Sequence, residues 1–543
     1  MNLTQKLTAI SIMIVLSLTS ISQSSAQNND TTITISKSQL KMIEAMKLIA
    51  NSYMDSIPES KIAEMGIQSL LGTLDPHTRY YSKEEAAKEQ NKQSCQQIGM
   101  GMQCRIFRDT VIVVAVEQNS PAYRAGIRPG CKLDSIGKYV VSGRHLSQND
   151  INRIMDAQTG DSTSLVMYQR KGTRYVMIGI DGASNGGIEA HYAPNDTSVY
   201  IKITSFCKET DHKFDMVLKS YPKKRLRNVI IDLRDNPGGL YPASINISNM
   251  FVGESVRTSK SVSRNTDKTY YPDHDGALIN SRVYVLVNEN SASASEVIAS
   301  CLQDSDRGVV IGRRSFGKGL SQQIYTMSDG SMIKISNARL ISPSGRCIQK
   351  DYEKVSKEYF SETAQRRLTG ENLSASKMPS PTDTTAYTTL RKGRKMYAGI
   401  GVVPDVFVPE DTTTFPDRWQ RWLDNDLLCD FAYFYTYVHR DEINKKYKTF
   451  KTFKSNFHVT MEIVEEFVEF CKKDPRSGKL PSDCVKELNS SRSQLKITHM
   501  ITAIFAKTIF GQNEYHEIMN NTDPDYQAAL RLIGNPSEYY KIL

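Results

Sequence analysis

Between about residues 185 and 350 the chain alternates short apolar, β-branched runs with helix-like stretches, and no other feature constrains its fold as strongly. "SVYIKITSF", "RNVIIDLR", "RVYVLVNEN" and "GVVIGRRS" read as strands. "ETDHKFDMVLKSY", "YPASINISNMFV" and "SEVIASCLQD" read as the helices between them. That alternation predicts an α/β layer around a buried sheet. The flanks have other textures. Residues from about 33 to 90 carry apolar positions at spacings of three and four, broken at Asp75-Pro76, and read as helices. From about 95 to 182, runs such as "TVIVVAV" alternate with turns around one helix-like stretch, "SQNDINRIMDAQ", which predicts a small β-rich module. Residues 351 to about 385 are polar and rich in Ser and Thr, and "YTTLRKGRKMYAGIG" reads as a hairpin. From about 412 the apolar stripes of "MEIVEEFVEFCKK" and "HMITAIFAKTIFG" predict a helical domain, and "DPDYQAALRLIG" carries helix start and stop signals.

The first 26 residues predict a secretory leader. Lys6 precedes an apolar run from Leu7 to about Leu18, and Ser24-Ser25-Ala26 supplies small residues for cleavage after Ala26. The run is shorter than the roughly 20 residues that span a bilayer, and no other stretch is long and apolar enough. The expected mature protein is soluble and exported, in the periplasm or cell envelope. The 543 residues allow three or four domains. The expected layout is a signal peptide over 1–26, a helical segment over 27–90, the β-rich module over 91–183, the α/β core over 184–411 and a helical domain over 412–543.

Net charge is +10, but the basic clusters "KKRLR", "RKGRK" and "KKYKTFKTFK" carry no nucleic-acid motif and read as solvated faces. The nine cysteines include no C-x-x-C pair and read as mostly buried thiols, with room for one or two disulfides. "HEIMN" begins like a zinc-protease helix, but Asn520 stands where the second histidine must be, so no metal and no cofactor are expected.

"GRRSFGKG", from Gly312 to Gly319, nearly matches a phosphate-binding loop. Gly319 occupies the hydroxyl position, and a strand-like segment follows where the helix should be, so nucleotide hydrolysis is the weaker reading. Twenty-five residues before Lys318, "VYVLVNENSASASEVIASCLQD" places serines at a strand-to-helix turn. A helix N-terminus offers unpaired N–H groups for a developing oxyanion. The bland alternative is a capping box, Ser293-x-x-Glu296. No histidine lies in a catalytic motif, and a desolvated lysine can serve a serine nucleophile as base.

The segment "SASASEVIASCLQDSDRGVVIGRRSFGKGLSQQ" resembles the active-site segment of the carboxy-terminal processing (tail-specific) proteases. The resemblance implies Ser293 as nucleophile, Lys318 as base and Gln322 as the residue that orients it. "IIDLRDNPGGLYPAS" is similar to the family segment whose glycine completes the oxyanion hole, which implies Ala294 with Gly238 or Gly239. "IGMGMQC" resembles the carboxylate-binding loop of a PDZ domain, implying peptide binding at Gly99, Met100, Gly101 and Met102. "SPAYRAGIRPGCKLDSIGKYVV" resembles the PDZ core, with Cys131-Lys132 where an acidic residue is usual. "LDPHTRYYS", "ISPSGRCIQ" and "GIGVVPDVFV" match further family segments, so the resemblance covers roughly residues 40 to 410. It implies a multidomain α/β and β protein with an inserted PDZ domain, acting as a Ser-Lys serine endopeptidase on proteins with free C-termini. The rival is a non-catalytic PDZ scaffold on a protease fold. Homo-oligomer formation stays open.

Overall fold

The computed structural model describes residues 36–94, 100–107, 109–117, 120–158, 162–169, 172–179, 186–222, 226–352, 356–380, 383–413, 415–478 and 491–543. The leader and Gly99 lie outside the described residues. The chain divides into two compact units, Met1–Leu70 and Leu71–Leu543. In the first, helix Lys37–Ser52 starts at Ser36, whose hydroxyl accepts from Gln39 N–H while the Gln39 side chain accepts from Ser36 N–H. Leu40, Met42, Leu48 and Ile49 on this helix are exposed.

The second unit is built on a six-stranded sheet in the order Val406–Phe407, Gly308–Gly312, Arg282–Val287, Asn228–Asp232, Ser198–Ile203, Ile188–Asn195. All neighbours are parallel except the last pair. Successive side chains point to opposite faces, so a strand apolar at every position must be covered twice. On one face Val199, Ile201, Val229, Ile231, Val283 and Val285 pack against Phe214, Ile247 and Ile298 from helices Thr210–Ser220, Tyr241–Asn249 and Ala294–Asp304. On the other, Tyr200, Ile230, Tyr284, Leu286 and Ile311 pack against Tyr526, Ala529, Leu532 and Tyr539. These last four belong to helices Pro524–Gly534 and Pro536–Ile542. The sequence reading runs one helical domain from 412 to 543, yet its last two helices complete the α/β core. The reason is the sheet's second apolar face, which no helix between 184 and 411 covers among the described residues.

The remaining C-terminal helices form a bundle around Trp419, Trp422, Phe431, Phe467 and Phe505, a cluster that also takes in Val114 of the β-rich module. That module has a sheet in the order Met102–Phe107, Thr110–Val116, Lys132–Ile136, Ser162–Gln169, Gly172–Gly179. Its core joins Met102, Cys104, Val113, Ile136 and Leu165 to Ile151 of helix Gln148–Asp156. A further sheet pairs Leu320–Thr326 with Met332–Ile341, and the latter with Arg79–Tyr81 and Ser259–Ser263. "YTTLRKGRKMYAGIG" does enter a hairpin, Asp383–Thr388 against Lys395–Ala398. Cys104, Cys131, Cys301 and Cys429 are free thiols, whereas Cys207 is disulfide-bonded. No helix among the described residues is long and apolar enough to cross a membrane.

Candidate active site

Strand Arg282–Val287 ends in a turn that feeds helix Ala294–Asp304, so the serine run lies at the C-terminal edge of the parallel strands, where open α/β sheets bind ligands. The run "SASAS" sorts its three serines by their bonds. Ser291 is buried, and its hydroxyl donates to the Leu233 carbonyl at 2.8 Å and accepts from Asn288 N–H at 2.9 Å. Ser295 is buried and donates to the Asn236 carbonyl at 3.0 Å. Ser293 is partly exposed and holds φ 56°, a left-handed conformation unusual for a residue with a side chain.

The neighbouring turn runs alongside. Ala292 N–H donates to the Asn236 carbonyl at 3.0 Å, and the Asn288 amide exchanges hydrogen bonds with Asp235 at 2.9 and 3.0 Å. A Cβ added to Gly238 would lie 2.7 Å from Ser293 Cβ and 3.0 Å from Ala294 N, so only glycine allows this approach. Gly238 N–H already donates to Asn236 Oδ1 at 2.8 Å. Gly239 N–H and Ala294 N–H make no hydrogen bond among the described residues. Gly239 is exposed and Ala294 opens its helix, so these two donors are left for a visitor. Of the two glycines left open by the sequence, Gly239 is the one with an uncommitted donor.

Lys318 lies on a glycine-flanked loop drawn tightly into the core. A Cβ at Gly319 would meet Gln349 N at 2.9 Å, and Gly317 takes φ 94°. Phe316 N–H donates to the Ser291 carbonyl at 2.9 Å, tying this loop to the serine turn. Burial and then the neighbouring Lys334 charge lower the Lys318 ammonium from 10.5 to about 8. Its Nζ donates to Gln322 Oε1 at 2.9 Å, and Gln322 Nε2 donates to the His77 carbonyl at 2.7 Å. The structure therefore joins Lys318 to Gln322, as the resemblance implies. No hydrogen bond links Lys318 Nζ to Ser293 among the described residues.

Glu296 has a role that the capping-box reading misses. Its fully buried carboxylate accepts from Ser293 N–H at 2.9 Å, Ser315 Oγ at 2.5 Å, Gly317 N–H at 2.7 Å and Lys318 N–H at 2.8 Å. One side chain thus fixes both the serine and lysine turns. Burial raises its pKa, against the pull of these four donors. The spacing Ser293-x-x-Glu296 is the only signal in the sequence, and it gives the helix partner without the second loop. His77 is also new. Its ring hydrogen-bonds Tyr359 at 2.9 Å, and burial, then Lys318, push its pKa down to about 3, leaving a neutral imidazole beside the lysine. A third group anchors the turn that carries the glycine pair: the guanidinium of Arg234 donates to both oxygens of Asp523 at 2.8 and 2.7 Å and to Asp232 at 2.7 and 3.0 Å.

The other sequence-selected residues lie in the β-rich module. Met100 and Met102 are buried in its core, and Gly101 takes φ 68° with its missing Cβ against Ser120. The N–H groups of Met100 and Gly101 make no hydrogen bond among the described residues.

Residues 197–356 match the model of peptidase family S41, and residues 419–511 match a family of unknown function, DUF8443. The Carboxy-terminal processing protease CtpB of Bacillus subtilis (strain 168) is 30% identical over 328 residues, covering 58% of this chain and 66% of that protein. The Probable CtpA-like serine protease of Staphylococcus aureus (strain COL) is 28% identical over 318 residues, covering 58% of this chain and 63% of that protein. The chain thus spans slightly less than two thirds of the length of these curated relatives. A solved structure titled photosystem II D1 C-terminal processing protease is 22% identical, with a TM-score of 0.35, over 70% of this chain and 95% of the other. The match to the peptidase family S41 model over 197–356 holds the serine turn, the glycine pair and the lysine loop alike.

Proposed function

We propose that this chain is an exported serine endopeptidase that cleaves near protein C-termini with a Ser-Lys dyad. The observation that carries the reading is the pair of uncommitted N–H groups, Gly239 and Ala294, beside a strained Ser293, with a desolvated lysine on the loop bonded to the same turn. In the proposed cycle neutral Lys318 takes the Ser293 hydroxyl proton as Oγ attacks the scissile carbonyl. The resulting oxyanion is held by the Gly239 and Ala294 N–H groups. The lysinium then gives its proton to the leaving amine, and water resolves the acyl-enzyme by the same exchange in reverse. Gln322 keeps Lys318 aimed through its 2.9 Å bond, and the His77 carbonyl holds Gln322. A neutral His77 adds no positive charge that would oppose proton uptake by the lysine.

The β-rich module is read as a PDZ domain that binds the substrate tail as an added strand. The open N–H groups of Met100 and Gly101 suit a terminal carboxylate, with Gly99 next to them in sequence. Export rests on the leader over residues 1–26. A casein digest with the wild-type protein and Ser293→Ala tests the reading. Cleavage by the first and none by the second is expected. No cleavage by the wild type would favour a non-catalytic peptide-binding scaffold.

A further inference from the structure

Strand Met102–Phe107 is the outer strand of the module's sheet, and among the described residues its one strand partner is Thr110–Val116. An outer strand presents a row of unpaired backbone groups, the surface to which an incoming peptide adds. Two of those groups are already taken. Gln148, the first residue of helix Gln148–Asp156, donates Nε2 to the Cys104 carbonyl at 2.9 Å, and its Oε1 accepts from Ile106 N–H at 3.2 Å. A primary amide carries one carbonyl acceptor and N–H donors, the same polar groups as a peptide unit.

The side chain is held in this pose. Asn152 Oδ1, one turn along the helix, accepts from the same Nε2 at 3.0 Å. The helix start is fixed by Ser147 and Asp150, each side chain accepting from the other's backbone N–H. Register is fixed too, because Met102, Cys104 and Ile106 pack into the module core, and a one-residue slip would turn them out. The free edge therefore offers its Cys104 carbonyl and Ile106 N–H at one fixed place, and Gln148 sits on both.

We propose that Gln148 is an internal stand-in for one peptide unit of the substrate tail, closing the groove between strand and helix until a tail displaces it. The inference rests on the peptide-binding reading of the module. The displacing ligand is an extended C-terminal segment whose backbone carbonyl takes over Ile106 N–H and whose N–H takes over the Cys104 carbonyl. Its carboxylate reaches the open N–H groups of Met100 and Gly101. Every tail must first break the two bonds that Gln148 makes, so the groove holds tails more weakly than its ladder alone would, and it discriminates against tails that cannot remake both.

The test uses full-length protein carrying Ser293→Ala, so that a fluorescent peptide with a free apolar C-terminus stays intact while its Kd is read by anisotropy. Adding Gln148→Ala should tighten binding about three- to tenfold, the size of one to two net hydrogen bonds. Gln148→Glu keeps the acceptor for Ile106 N–H and loses the donor, so it should fall between. Hydrogen exchange at the Ile106 amide, without peptide, should be slow in the Gln148 protein and faster in Gln148→Ala, and peptide should restore protection. If Gln148→Ala binds equally or more weakly, or Ile106 exchange does not change, the stand-in role is wrong and the PDZ reading survives. If the peptide binds neither protein, the PDZ reading fails and this inference falls with it.

Discussion

The turn at Ser293 and the edge strand Met102–Phe107 both reserve backbone groups for a visitor, and they do so in opposite ways. At the serine turn, Ser291, Ser295, Asn236 and Glu296 are buried and hydrogen-bonded, while the N–H groups of Gly239 and Ala294 have no hydrogen-bond partner among the described residues. Donors that serve a transition state must already point correctly, because reorienting them during reaction would cost what they supply. At the edge strand the reserved groups are covered by Gln148 and must be uncovered. A flat edge left open is a hazard for unwanted pairing, and a removable side chain closes it. On the proposed reading, the site for chemistry is over-determined and the site for recognition is lightly latched.

If that contrast holds, substitutions at the serine turn act on kcat and those at the strand act on binding. The largest effect belongs to the dyad. Ser293→Ala and Lys318→Ala should each lower kcat/KM by more than about a thousandfold with the melting temperature nearly unchanged. Lys318→Arg should be as inactive, since a guanidinium stays protonated. Ser291→Ala and Ser295→Ala should keep much more activity, and a dead Ser295→Ala beside an active Ser293→Ala would reassign the nucleophile.

Next comes Glu296→Gln. The amide can replace at most one carboxylate oxygen as acceptor and turns an NH2 group toward N–H donors. We expect about a hundredfold loss in kcat with KM little changed, together with a drop in melting temperature, read by steady-state kinetics and calorimetry. Wild-type kcat in a folded Glu296→Gln protein would mean that the two turns hold their positions without it.

The smaller effect lies at the groove. A peptide ending in an amide puts a donor where Met100 and Gly101 offer donors, so it should bind about tenfold more weakly than the free acid. The loss should appear in KM and not in kcat. Equal cleavage of acid and amide would remove tail recognition and leave the protease reading standing.

Much of this was legible in local patterns. The runs "NVIID", "VYVLV" and "GVVIG" are buried strands whose central residues are apolar on both faces, and Lys318 to Gln322 is a short step into one hairpin. What could not be read depends on contacts between distant segments. Arg234 is bonded to Asp523, 289 positions away, and nothing local marks "DPDYQAALRLIG" as a cover for the sheet rather than part of a bundle. Gly238 and Gly239 differ by a hydrogen bond from Gly238 N–H to Asn236 Oδ1 that the sequence does not show, and Gln148 looks in sequence like an ordinary residue of a first helical turn.

The most direct test of the account is the pH dependence of kcat/KM for the wild-type protein on a free-acid peptide. Lys318 must be neutral to take the serine proton, and burial, then Lys334, bring its pKa down to about 8. At pH 7 about a tenth of the lysine is neutral, so the rate should climb nearly tenfold per unit below that value and level off above it. A profile that is flat from pH 5 to pH 9, or that falls through pH 8, would contradict a lysine base.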